Sequence, residues 1–326
     1  MDHVLREAKM KKSLTLLLLA ALLLSVVGCS STSRFYRLEP KEFNQIDYGY
    51  PVNYVNVRNL KIGYLDQGSG GQVLLLIHGL GSNAKGWSRN IPELSKQYRV
   101  IAVDLPGYGL SSKDYYPYSL SFYAEVLTEM LTELGIDKAV FVGHSMGGQI
   151  GIITALTYPE RVEKLVLISP AGVEEFEEGE KDWFRKVAVP ELTEDATTRT
   201  IDINLRSNFY ETPPEAEFMI TDRIQLKGAS DFDMYAYAVA ENIKAMVNEP
   251  TSKKLKNITQ PTLVLFGMYD QLIPNRFLNG GETAKIGEIA DREIPNSKVI
   301  MVDKCGHFVQ FEQPEVTNKA ILEFLK

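Results

Sequence analysis

The sequence predicts an α/β protein in which helices cover both faces of a mostly parallel central sheet. Three observations predict this fold class: strands that are apolar along their whole length, helical segments that alternate with them, and glycine-rich turns at the strand ends. A strand that is apolar on both sides must be buried on both sides. Ligands of such sheets bind beyond the carboxyl ends of the strands, so these glycine-rich turns indicate where a site should lie.

The predicted elements follow one another regularly in two parts of the chain, residues 50–172 and 251–326, which we interpret as two halves of one core. Strands are predicted at 54–66 (one or two strands), 73–77, 100–103, 139–142, 164–168, 262–266 and 298–302. Helices are predicted at 120–134, 148–158 and 314–326.

Residues 173–250 interrupt this alternation. They contain no run typical of a buried strand, they begin with a cluster of glutamates, and they are rich in aromatic residues. We interpret them as an inserted helical cap over the site. Most of the aromatic side chains are expected to form the core of the cap, with one or two facing the substrate.

Composition excludes several classes of protein. The 326 residues are 44% hydrophobic and 24% charged, which is typical of a globular chain. The formal net charge is −7 and no basic run is interleaved with aromatic residues, so no nucleic-acid partner is expected. The only cysteines in the sequence are Cys29 and Cys305, too few for a disulfide framework.

Residues 1–28 have the pattern of an export signal. Lysines precede an apolar stretch that begins at Leu14 and is roughly 15 residues long, shorter than the about 20 residues of a membrane-spanning helix. Met10 is an alternative start of the chain. An ordinary signal peptide with a chance cysteine remains the alternative to the lipoprotein signal described next.

The end of this segment, residues 26–29, resembles a bacterial lipobox. That resemblance implies that Cys29 is lipidated and becomes the first residue of the mature protein. Several acyl chains give stable anchoring, at ~0.8 kcal/mol per buried methylene. The expected location is the bacterial cell envelope, and Ser30 favours the outer over the inner membrane. The polar residues 29–49 are predicted to be a tether to the domain.

A candidate nucleophile lies between a predicted strand and a predicted helix. Residues 143–147 have the pattern G-x-S-x-G with Ser145 at the centre, and the pattern requires this strand–turn–helix context. The turn is sharp, the flanking glycines allow close packing, and the helix that follows directs its first amides at developing negative charge.

A serine nucleophile needs a base and a carboxylate that orients the base. Among the four histidines, His307 follows the last predicted strand, whereas His144 adjoins the serine and His78 follows an earlier strand. Asp270 follows the strand that ends near residue 267, and the order Ser145, Asp270, His307 is that of a nucleophile, acid and base on this type of sheet.

Alternatives remain for the acid and for the oxyanion donors. Asp291 and Asp303 are rivals of Asp270, although neither follows a strand at the expected place. The backbone amides of Met146 and Leu80 are predicted to form the oxyanion hole.

Taken together, the motifs at 78–81, 104–111 and 143–148, with Asp270 and His307, resemble the α/β-hydrolase superfamily across most of residues 50–326. The resemblance implies the α/β-hydrolase fold and a Ser-Asp-His triad that works through an acyl-enzyme. Related dehalogenases and epoxide hydrolases use an aspartate nucleophile, so Ser145 argues against both activities.

Two groups within the superfamily are similar to different parts of the chain. Residues 169–172 and 312–315 are similar to monoacylglycerol-lipase-like enzymes and bacterial lipases. Residues 307–312 are similar to the hydrolases that cleave carbon–carbon bonds of ring-cleavage products, although Phe308 stands where that group usually has Trp.

The sequence therefore predicts a serine hydrolase that cleaves carboxylic esters, with a small lipid-like ester as its partner and a membrane attachment through the N-terminal anchor. No metal or cofactor is expected. Leu80, Met146, Phe308 and cap aromatics are predicted to line an apolar cleft. The alternatives are a C–C bond hydrolase and a non-catalytic binding protein on the same fold.

Overall fold

The structure is a computed structural model that describes Phe35 and residues 38–326. The predicted export signal and Cys29 lie outside the described residues. Within the described part of the chain, no helix has the length and hydropathy needed to cross a bilayer.

In the described residues, eight strands form one sheet with the order β1-β2-β4-β3-β5-β6-β7-β8. The strands β1 and β2 form a hairpin that pairs antiparallel with β4, and all the other pairs are parallel. This is the predicted α/β-hydrolase fold, and the fold class is confirmed. The strands are β1 (Val52–Val57), β2 (Leu60–Gln67), β3 (Val73–Ile77), β4 (Arg99–Val103), β5 (Ala139–His144), β6 (Val162–Ile168), β7 (Thr262–Gly267) and β8 (Ser297–Val302).

The burial of the strands explains their sequences. Every residue of β3, β5 and β7 is buried, which is why these strands are apolar throughout. The edge strand β1 is largely open to solvent and accordingly contains two asparagines. The strands that are buried throughout therefore lie in the interior of the sheet, and the exposed strand β1 lies at its edge.

Six α-helices of the described residues belong to the core. They are α1 (Ile91–Leu94), α2 (Leu120–Glu133), α3 (Met146–Thr157), α9 (Thr283–Glu293), α10 (Val309–Glu312) and α11 (Pro314–Leu325). Ser119 caps α2 by accepting a hydrogen bond from the Phe122 N–H, and Gly135, with φ of 67°, follows its end.

Five further helices lie between β6 and β7, within the segment predicted to be an inserted cap. They are α4 (Glu178–Val187), α5 (Glu191–Glu194), α6 (Thr198–Arg206), α7 (Glu217–Leu226) and α8 (Phe232–Asn248). The longest, α8, is fixed to the core by the buried Asn242. Its side chain accepts hydrogen bonds from Tyr108 and Tyr123 and donates to the Tyr118 carbonyl. A satisfied buried amide of this kind holds the helix in one register.

The segment before the sheet is bound to the cap. We call Phe35 and residues 38–48 the N-terminal strap. Phe35 is buried against Ile201 of α6 and Ile220 of α7. The Lys41 amide donates to the Gln225 carbonyl at the end of α7.

The strap also reaches the core, so the predicted tether of residues 29–49 ends too late. Phe43 and Ile46 are buried in the main core, and the Tyr48 hydroxyl donates to Asp104 at 2.5 Å. The segment is polar on average, which favoured the prediction of a tether. A few of its apolar side chains are widely spaced, and each of these is buried. Its described part is packed chain and not a free spacer.

Candidate active site

Ser145 lies on a strained turn between β5 and α3. Its φ of 54° and ψ of −119° are rare for a residue with a side chain, and such a backbone costs about 1–3 kcal/mol. The surroundings require glycine on both sides: a Cβ on Gly147 would lie 2.3 Å from the Ile77 carbonyl oxygen, and a Cβ on Gly143 would lie 2.3 Å from the Gly147 oxygen. Close packing against β3 therefore holds the turn that presents Ser145.

His307 and Asp270 form a buried pair on the loops after β8 and β7. The His307 Nδ1 lies 2.7 Å from the Asp270 Oδ2. The other carboxylate oxygen accepts hydrogen bonds from the Leu272 and Ile273 amides at 2.8 and 3.1 Å. Because an ionised carboxylate only accepts, the neutral imidazole donates from Nδ1 and keeps its lone pair on Nε2. This is the tautomer that a general base needs. Neither Asp291 nor Asp303 takes this position.

The carboxylate of Glu312 holds the loop that carries His307 against the cap. The sequence did not indicate Glu312 as a site residue. Glu312 accepts hydrogen bonds from the Gly306 amide at 2.7 Å, the Glu211 amide at 2.7 Å and the Tyr210 amide at 3.2 Å. In the sequence, Glu312 is included only within two segments that are similar to known families. Its spacing of five residues from His307 is the signal that could have identified this role.

The cap backbone binds the same loop directly. The His307 amide donates to the Asn208 carbonyl at 2.7 Å, and the Phe308 amide shares this acceptor at 3.3 Å. The turn that follows α6 is thus attached to the residue that carries the imidazole. Cap and base cannot move independently without breaking these bonds.

The loop after β3 runs past the nucleophile. A Cβ on Gly79 would lie 2.9 Å from the Ser145 Cβ, so the backbone at this point approaches as closely as glycine permits. His78 is buried, with its Nδ1 2.8 Å from the Gly79 oxygen, and its Nε2 accepts from the Leu105 amide at 3.1 Å. Burial lowers the pKa of His78 to about 4, so this histidine is a neutral brace of the loop.

His144 is also excluded as a base. Its Nε2 lies 3.0 Å from the His307 carbonyl oxygen. Burial, and then the proximity of His307, hold its pKa well below the usual range. The sequence-based choice of His307 over His78 and His144 agrees with these positions.

One cavity of about 600 Å³ lies between core and cap, and both Ser145 and His307 line it. Leu80 and Phe308 line it as predicted. Met146 does not: its side chain is fully buried in the core. The prediction of Met146 as a substrate-contacting side chain is therefore wrong, because the first residue of α3 points into the protein while its amide stays at the turn.

Most of the cavity wall is apolar and comes from the cap. More cap aromatics line it than the one or two predicted, and the strap contributes Phe43, which the sequence did not indicate. The cap aromatics in the wall are Phe176, Trp183, Phe184, Phe218 and Tyr235. An apolar molecule, or an apolar part of one, fits such a wall.

Four charged side chains interrupt this wall: Glu174, Lys181, Asp222 and Arg223. Asp222 lies 3.5 Å from the Lys41 amine and 3.4 Å from the Lys85 amine. Local sequence patterns could not reveal these residues, because charges on cap helices are ordinarily solvated. Within residue 35 and residues 38–326, no group of three or more potential ligands could hold a metal ion.

Arg223 is close to the loop that carries Leu80. Its guanidinium donates to the Gly81 carbonyl and lies 5.2 Å from the centre of the Tyr235 ring. In the described part of the chain no carboxylate forms an ion pair with it. Among the described residues, Arg223 is therefore a cation of the cavity wall without a fixed counter-ion.

Comparison with known proteins agrees with this arrangement. A family model described as "alpha/beta hydrolase fold" matches residues 72–314. A 2-hydroxy-6-oxononadienedioate/2-hydroxy-6-oxononatrienedioate hydrolase of Burkholderia vietnamiensis is 32% identical over 84% of this chain and 95% of its own length.

Two solved structures are similar along nearly their whole length. A probable hydrolytic enzyme of Pseudomonas aeruginosa PAO1 has a TM-score of 0.78 and 29% identity, covering 89% of this chain and 99% of its own. A bacterial membrane phospholipase A has a TM-score of 0.69 and 27% identity, covering 100% of this chain and 98% of its own.

The Glu312 carboxylate provides a test of the histidine loop. Glutamine at this position presents one acceptor oxygen and one NH₂ group, so at least one backbone N–H loses its acceptor. We expect Glu312→Gln to lower the free energy of unfolding by about 1–3 kcal/mol, measured by urea denaturation. The matched control is Glu315→Gln, an exposed acid in the first turn of α11. Equal stability of the two variants would contradict this role of Glu312.

Proposed function

The chain belongs to the α/β-hydrolase fold family, and on this premise we propose that it is a serine hydrolase with Ser145 as nucleophile, His307 as base and Asp270 as the orienting acid. The observation that carries the proposal is the 2.7 Å contact between His307 and Asp270. His307 also lines the same cavity as Ser145. A general base needs a carboxylate bound to Nδ1 and a ring that borders the substrate cavity, whereas a structural histidine needs neither.

The mechanism follows from these positions. His307 Nε2 takes the proton of Ser145 as the hydroxyl attacks a carbonyl carbon, and the imidazolium is stabilised by Asp270. The amides of Leu80 and Met146 are suited to hold the oxyanion, and losing one such donor typically costs ~10²–10³ in turnover. His307 then protonates the leaving group. A water molecule activated by the same nitrogen releases the acid from the acyl-enzyme.

The first candidate substrate is an ester with an apolar acyl chain. The predominantly apolar cavity of about 600 Å³ supports it, since a fatty-acyl chain gains from leaving water for such a wall. The similarity to a membrane phospholipase A supports the same candidate.

The second candidate is hydrolysis of the C–C bond in a ring-cleavage product. The curated relatives support it better than the ester, because two of them, each 32% identical to this chain, are named as dienedioate hydrolases. Arg223 is the feature of the cavity that favours it, since a dioate carries carboxylates that need a cation when they are buried.

Labelling with a fluorophosphonate probe tests the proposed nucleophile. The probe should label the wild-type chain, and Ser145→Ala should abolish the label because it removes the hydroxyl that the proposal assigns to the reaction with the probe. Ser207→Ala is the control: this exposed serine bonds only within its own turn and should leave labelling unchanged. Persistent labelling of Ser145→Ala would refute the assignment, and an unlabelled wild-type chain would favour a binding protein.

A substrate comparison distinguishes the two candidates. We expect kcat/KM for p-nitrophenyl esters to rise at least tenfold from a two-carbon to an eight-carbon acyl chain, and Arg223→Gln to change it less than threefold. If the dienedioate is instead the better substrate, and Arg223→Gln raises its KM at least tenfold, the second candidate replaces the first.

We also propose that Cys29 is lipidated and holds the protein in the bacterial cell envelope. The residues 26–29 support this proposal through their resemblance to a lipobox. The intact mass of protein extracted from membranes should equal residues 29–326 plus a diacylglyceryl group and an amide-linked acyl chain. A mass without added lipid would reject the anchor.

A further inference from the structure

We propose that exposed apolar side chains at the mouth of the cavity dock on the surface of a lipid bilayer, so that the cavity opens toward the membrane. One of the arguments rests on the proposed lipidation of Cys29, and the others are independent of it.

The mouth is bordered by large apolar side chains that remain open to solvent. Trp183, Leu192 and Leu272 line the cavity and are nevertheless 47%, 58% and 41% exposed. We call these three residues and Phe277 the apolar rim. Large apolar side chains that stay exposed around one opening are typical of interaction surfaces on soluble domains.

Phe277 extends the rim on the side of the core. It is 86% exposed, on a turn attached to the start of the cap. Glu174 accepts hydrogen bonds from the Asn275 amide and from the Asn279 side chain, and Glu174 and Asn275 both line the cavity. A phenylalanine held beside the mouth with most of its surface in water has no folding role there.

The N-terminal strap orients this face. Phe35 is buried against Ile201 and Ile220 of the cap, and Cys29 lies only six positions before it. Six extended residues reach about 20 Å. An acyl chain on Cys29 would therefore hold the cap, rather than the opposite face of the sheet, next to the bilayer.

Charge indicates which kind of bilayer fits. Exposed charges of both signs lie near the mouth: the acids Glu177 and Glu191, and the bases Lys186, on the helix of Trp183, and Arg276, next to Phe277. The formal net charge of the chain is −7. Because the chain as a whole is anionic, an anionic surface would repel it, and the partner we infer is a zwitterionic lipid surface, contacted by insertion of apolar side chains.

The two tryptophans make the docking measurable. Trp87 is fully buried, whereas Trp183 belongs to the apolar rim, so bilayer contact changes the emission of Trp183 alone. The full chain is reconstituted with phosphatidylcholine vesicles, either unbrominated or brominated on the acyl chains. We expect the brominated lipid to reduce the Trp183 emission at least twofold and to leave the remaining emission of Trp183→Phe unchanged.

Rim variants and a matched control test the specificity. Leu192→Asn and Phe277→Asn should each halve the quenching, whereas Val316→Asn, at an exposed apolar position on α11 away from the cavity, should leave it unchanged. Vesicles with half phosphatidylserine should show less quenching. If the emission of membrane-bound protein is the same in both lipids, the proposal is overturned. Rim-dependent self-association without quenching would likewise overturn it, in favour of a second copy as partner.

These outcomes separate the docking from the proposed function. Intact mass reports the lipidation of Cys29, and fluorophosphonate labelling reports Ser145, both independently of the quenching. Quenching of a chain that carries no lipid would leave the docking standing and reject the anchor. A lipidated, labelled chain without quenching would reject the docking alone.

Discussion

The close packing of the Ser145 turn against β3 is the constraint on which the site depends. Gly147 approaches the Ile77 carbonyl so nearly that no Cβ fits between them, and Gly79 approaches Ser145 in the same way. A residue with positive φ is unfavourable by itself, so it persists only where its neighbours leave no alternative. The buried central strands provide that rigidity. The strained turn at Ser145 thus depends on the packing of the apolar core.

The cap contributes to the same site from outside the sheet. Its turn at Asn208 accepts hydrogen bonds from the histidine loop, and Glu312 ties that loop to the next residues of the cap. Arg223 contacts the opposite loop through the Gly81 carbonyl. The cap therefore touches both the loop of the base and the loop proposed to hold the oxyanion. A change in its position would be felt on both sides of the nucleophile.

Much of this arrangement could be predicted from the sequence because its signals are local. Continuous apolar strands predict a sheet buried on both faces, and the glycine-flanked Ser145 predicts a sharp turn. His307 could be chosen because it follows the last strand, whereas His144 adjoins the serine and His78 follows an earlier strand. The prediction that the Met146 side chain contacts the substrate is wrong because the sequence gives the position of this residue in the helix but not the direction in which its side chain points. Glu312, Arg223 and the strap were missed for another reason: each acts through partners far away in the chain, and no periodicity records such contacts.

The strap has a practical consequence for anyone who shortens this protein. The family similarity begins at residue 72 and the first strand at Val52, which would suggest starting an expressed fragment near residue 50. Such a fragment would lose Phe43 from the cavity wall and the Tyr48 hydroxyl from the buried Asp104, and would uncover Ile201 and Ile220. A soluble version that preserves the native pocket should begin no later than Phe35.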